Sequence, residues 1–118
     1  MINALKALGF DTDLALEYLG SDEDLYRTIL ADTRDEAEEK IPLLEECFAN
    51  RDFGRYHIEV HALKNVANMI GAMKLFTLSN AQNTRGLNKD EEGMWANHEP
   101  MMVEYRALLS ALKGMDLE

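Results

Sequence analysis

A chain of 118 residues is long enough to form one domain, residues 1–118, burying about two-thirds of its unfolded surface. Its apolar fraction of 47% argues against disorder, and its formal net charge of −10 would repel phosphate backbones and anionic headgroups. Neither nucleic acid nor a membrane surface is therefore an expected partner.

Only 2 prolines and 7 glycines punctuate the chain, so few tight turns and long elements are expected. The opening residues, Met1 to Lys6, lack a basic segment followed by a long apolar core, and secretion is not indicated. No window approaches the roughly 20 apolar residues that span a bilayer. Cytoplasmic placement follows, with the lone Cys47 expected as a buried, reduced thiol. Met1 and the lack of a Pro/Ser-rich linker favour a free-standing protein, and a monomer is the simpler expectation.

Asp11-Thr12-Asp13 before Leu14 and Leu16 starts a short helix that Gly20 ends. After Ser21, the acids Asp22, Glu23 and Asp24 suit the N-terminus of a second helix. Its apolar stripe runs through Leu25, Ile29, Ala37, Ile41, Leu44 and Phe48, with Pro42 expected to bend or break it. Asn50-Arg51-Asp52 punctuates next, Asp52 being the expected cap of a third helix. On that helix Tyr56, Val60, Leu63, Ala67 and Ile70 recur at steps of 4, 3, 4 and 3, a narrow core-facing seam closed by Gly71. A fourth helix places Leu75 and Leu78 inward and stops at Arg85-Gly86. Residues 87–97 read either as a short helix capped around Asn88-Lys89-Asp90-Glu91 or as loop. Met101, Tyr105, Leu108 and Leu112 then mark a last helix, with Pro100 near its start and Gly114 past its end. No strand-like alternation competes with these periods. The expected fold is all-α: an antiparallel four-helix bundle with an additional N-terminal helix.

At about 100° per residue, His57, His61, Lys64, Asn68 and Gly71 form a second stripe on the third helix, roughly 60° to 140° from the seam, bordered by Asn65 and Ala72. That stripe lies at the rim of the buried face, with His61 toward solvent. Gly71 and Ala72 are small and should leave open space along from His61. Taken by spacing alone, a histidine near a lysine on a helix is usually a solvated surface residue, and a lysine there is commonplace.

The run His61-Ala-Leu63-Lys64-Asn65-Val-Ala67-Asn68-Met69-Ile70-Gly71-Ala72 resembles the phosphoacceptor motif of histidine-containing phosphotransfer (HPt) domains. That motif reads roughly His-x-Leu-Lys-Gly-small-small-x-x-aliphatic-Gly-Ala, and His61, Leu63, Lys64, Ala67, Ile70, Gly71 and Ala72 match it. Leu19-Gly20, Leu25-Tyr26, Asn50 to Phe53, Leu75 and Leu78 also resemble the family pattern, which thus covers most of the chain. Two further places bear on the comparison. Asn65 stands where glycine or serine is usual, and Gln82-Asn83 stands where an acidic or amide residue often lies.

The resemblance implies a phosphorelay intermediate. His61 would accept and donate the phosphoryl group, and Lys64, one turn along, would stabilise the phosphohistidine. His57, Asn65, Asn68, Met69, Gly71 and Ala72 would meet the partner. Those partners are response-regulator receiver domains and a sensor or hybrid histidine kinase, and Mg²⁺ is expected only in the receiver. Neither a phosphate-cradling Gly-x-x-x-x-Gly-Lys loop nor a kinase-like residue set occurs, so this chain is expected to be a carrier without kinase activity, cofactor or metal. Three competing readings are an HPt-like interaction module that is not phosphorylated, a metal site using His57 and His61 at i and i+4, and a helical-bundle enzyme. The acids lie mostly on solvated faces with no paired carboxylates converging inward, which makes the last the weakest.

Overall fold

The computed structural model describes residues 1–118 and consists of helices and their connections: α1 (Ile2–Ala7), α2 (Thr12–Tyr18), α3 (Glu23–Ala49), α4 (Phe53–Ile70), α5 (Met73–Leu87), α6 (Glu91–Ala96) and α7 (His98–Lys113). The four long helices close a ring in which α4 touches α3 and α5, and α7 touches α5 and α3. Connections of only three residues (50–52) and two residues (71–72) reverse the chain, so successive long helices run antiparallel. The all-α bundle expected from periodicity is the fold found. Two short helices rather than one precede it, and the ambiguous segment before α7 forms the short helix α6. No helix is long and apolar enough to cross a membrane.

Four helices begin on an aspartate for the same reason. The first backbone N–H groups of a helix have no partner within it, and a short carboxylate just upstream can accept from one of them. Asp11 accepts from Leu14, Asp22 from Leu25, Asp52 from Arg55 and Asp90 from Gly93. Part of the chain's acidity is thus invested in helix starts, where the helix dipole also favours negative charge.

The seam of α4 is buried as its spacing requires, at Tyr56, Val60, Leu63, Ala67 and Ile70, and α7 buries Met101, Tyr105, Leu108 and Leu112. On α3 the buried face shares only Ala37 and Leu44 with the expected stripe. Tyr26, Leu30, Thr33, Ala37, Leu44 and Cys47 are buried, whereas Leu25 is 42% exposed and Ile29, Ile41 and Phe48 are half-buried. One of its inward members makes a polar contact. The Tyr26 hydroxyl donates to the Ile70 carbonyl at 2.6 Å, inside the bundle. Burial, with the nearby Asp11 charge, pushes that phenol up to about 12 and keeps it a donor. Pro42 does not break the helix: α3 runs through it without interruption. Both Pro42 and Glu38, whose carbonyl loses its usual donor, are exposed, so water can replace the missing bond.

Gly71 ends α4 in the left-handed conformation, at φ +81°. A Cβ there would lie 2.3 Å from the Asp11 carbonyl oxygen, and the Asp11 N–H donates to the Gly71 carbonyl at 2.9 Å. Glycine is therefore required twice, for its dihedral and for the close approach of the α1–α2 segment. At the other end of the chain Leu117 is buried, while Arg34 pairs with Glu118 and Arg27 donates to the Asp116 carbonyl, holding the tail on α3.

Candidate functional site

The Asp52 cap and the apolar seam fix the rotation of α4, and that rotation places His61 at the surface. Its Nδ1 lies 3.3 Å from Oδ1 of Asn83 on the neighbouring helix α5. The same Oδ1 lies 3.0 Å from Nε2 of His57, one turn before His61. A carbonyl oxygen only accepts, so both rings donate to it, and its two lone pairs serve one ring each. For His61 the consequence is direct. With the proton on Nδ1, the neutral ring carries its free lone pair on Nε2, the nitrogen remote from Asn83.

His57 is half-buried, with its ring over Gly86 and 6.1 Å from the Phe53 ring. A Cβ on Gly86 would sit 2.5 Å from the His57 ring carbon Cδ2. Gly86 therefore does not stop α5, as its position near Arg85 suggests. The helix continues to Leu87, and the glycine is a buried, helical seat for His57.

Lys64 is half-buried one turn beyond His61 and takes part in none of the ion pairs of the structure. The other lysine beside α4, Lys40, is committed to Glu59 at 2.9 Å. Asn65 is exposed, Asn68 is half-buried and donates to the Tyr18 hydroxyl at 3.3 Å, and Met69 is half-buried. Ile58, on the same helix, is 69% exposed. Gly71 and Ala72 do not leave open space along from His61: both are buried, and the space beside Gly71 is occupied by the Asp11 backbone. They shape the end of α4 rather than a gap beside His61.

A second histidine centre lies inside the bundle. His98 is 2% exposed, stacked on Phe48 at 4.1 Å. Gln82 donates to the Tyr56 hydroxyl at 3.1 Å and to the Met94 carbonyl at 2.8 Å, while Arg85 donates to the Gln82 oxygen. Tyr56 can then donate to Nδ1 of His98 at 2.8 Å, which leaves Nε2–H to donate to Glu45 at 2.5 Å. One direction of donation thus satisfies every member. Burial lowers the His98 pKa, with Glu45 opposing, and the ring stays neutral. Glu45, His98 and Glu99 bring donor atoms within 4.8 Å of one another, and Arg106 supplies positive charge there by pairing with both carboxylates.

Asn83 and His98 were not legible as site residues. One signal existed for α5: Leu75, Ser79, Gln82 and Gly86 repeat at steps of 4, 3 and 4, an inward seam with two polar members. A polar residue at a core register calls for a buried partner, and here the partners are Tyr56 and, next door at Asn83, the two histidines of α4.

Comparison with protein-family models, with curated proteins and with solved structures found no match to this chain.

Proposed function

We propose that the protein is a phosphoryl carrier of the histidine-containing phosphotransfer type, with His61 as acceptor and donor. One observation carries the reading. His61 is exposed, its Nδ1–H is engaged by a buried amide carbonyl, and its Nε2 is left with the lone pair. A neutral imidazole so held can attack an electrophilic phosphorus without a general base. Its Nε2 lone pair forms the P–N bond as the P–O bond to a donor aspartyl phosphate breaks, and the freed carboxylate departs with the electron pair. The proton on Nδ1 stays where it is.

Phosphoryl transfer is governed by in-line positioning and charge neutralisation. Lys64, half-buried and without an ion-pair partner, supplies an ammonium for the phosphoryl oxygens. The resemblance of the His61 to Ala72 run to the HPt motif supports the same roles and makes the partners receiver domains, which bring their own acidic pocket and Mg²⁺. Asn65, Asn68, Met69 and exposed Ile58 line the approach, while His57 serves the site from beneath. Gly71 and Ala72, being buried, have no place in that contact surface. The carrier is proposed to act in the cytoplasm between a sensor or hybrid kinase and its receivers.

Incubation with a phosphorylated receiver domain tests the reading. An acid-labile, alkali-stable label is expected on the wild type and none on His61→Gln. Label persisting in His61→Gln, or no label on the wild type from a panel of receivers, would remove it.

A further inference from the structure

Resting on that reading of His61, we infer that His57 is a positioning residue that fixes the reactive tautomer of His61 through Asn83. Asn83 is buried and faces both rings with one atom, Oδ1. Rotating the amide half a turn would present its NH₂ instead, whose two hydrogens could also serve both rings. The two orientations have opposite chemical outcomes. Facing the carbonyl, each ring must offer an N–H, and His61 keeps its lone pair on Nε2. Facing the NH₂, each ring must offer a lone pair, and the His61 proton moves to Nε2, where it blocks attack.

The two histidines are therefore coupled: one amide cannot satisfy them in opposite senses. His57 makes the shorter of the two contacts, 3.0 Å against 3.3 Å, and its ring is confined by Gly86 on α5 and Phe53 on its own helix. Its Nε2–H holds the carbonyl in place, and His61, exposed and freer, follows. With Nε2–H engaged by Asn83, the His57 lone pair is on Nδ1 of a half-buried ring that lies over Gly86.

Long-range ¹H–¹⁵N correlation spectra of the full chain in alkaline buffer read the tautomer of each ring directly. The wild type is expected to show His61 protonated on Nδ1. In His57→Phe, which keeps a ring over Gly86, the His61 signals should move toward the Nε2–H form that solvated imidazoles favour. Gly86→Ala, which displaces the His57 ring, should do the same, as should Asn83→Leu. Asn83→Asp, whose carboxylate can only accept, should retain the Nδ1–H signature. Label acceptance by His57→Phe should fall about fivefold, the equilibrium factor of one net hydrogen bond. An Nε2–H tautomer at His61 in the wild type, or an unchanged Nδ1–H tautomer in His57→Phe and Gly86→Ala, would overturn the inference. The expected tautomers in a wild type that accepts no label would instead uphold the coupling and overturn the phosphocarrier reading.

Discussion

The two histidine centres are served by adjacent residues of one helix, yet they leave their rings in opposite chemical states. Gln82 reaches inward to Tyr56 and so to His98, whereas Asn83 reaches across to His57 and His61. His98 has both nitrogens engaged, one by Tyr56 and one by Glu45, under a stacked Phe48 ring. His61 has one nitrogen engaged and the rest of its ring at the surface. Which of these rings keeps a free lone pair is thus decided by its hydrogen-bond partners, not by proximity to charge. His98, beside a carboxylate and an arginine, has no electron pair to offer; His61 keeps one.

The sharpest way to break this contrast is to exchange the consequences of losing each ring. His61→Gln should abolish label acceptance while leaving the urea unfolding free energy within about 0.5 kcal/mol of wild type, as for an exposed side chain. Tyr56→Phe should do the reverse. It deprives His98 of its donor and Gln82 of an acceptor inside the core, and should cost about 1–3 kcal/mol in urea unfolding while the folded protein still takes label. Lys64→Ala should slow labelling about tenfold without abolishing it, the low end for a charge-assisted hydrogen bond that is partly open to water. Equal loss of labelling in Tyr56→Phe and His61→Gln would erase the distinction between the centres.

The smallest effect is set by pH. The His98 pKa is lowered in the fold by burial, so the unfolded chain binds a proton at this residue more readily than the folded one. The stability gained from keeping the ring neutral is fully present above the ordinary value of 6.5 and is lost as pH falls toward the lowered folded value. Thermal unfolding followed through that window should show the decline in wild type and a flatter profile in His98→Gln. A profile identical in both would assign the decline elsewhere.

Much of the scaffold was legible because helical spacing is a strong constraint. Tyr56 to Ile70 and Met101 to Leu112 recur at intervals that only one face of a helix satisfies, and aspartates before apolar runs mark the starts. The α3 face is less legible because its inward members include Tyr26, Thr33 and Cys47, which an aliphatic stripe passes over. At the candidate site, His61 and Lys64 could be read from their motif and stripe. Asn83 and Gly86 could not, since their roles exist only in relation to His57 across the α4–α5 contact. The small size of Gly71 is legible, but size says nothing about what fills the space, and Asp11 lies 60 residues away in sequence.

The single tryptophan has a consequence for anyone following this protein in solution. Trp95 meets the Tyr56 ring edge-on at 4.9 Å and the Phe48 ring at 5.9 Å, with the Arg51 guanidinium 5.4 Å from its own ring. Its fluorescence is accordingly a private gauge of the interior centre. Emission should follow loosening around Tyr56 and stay silent to events at the α4 surface, so an optical titration and a radiolabel would report on separate halves of the molecule.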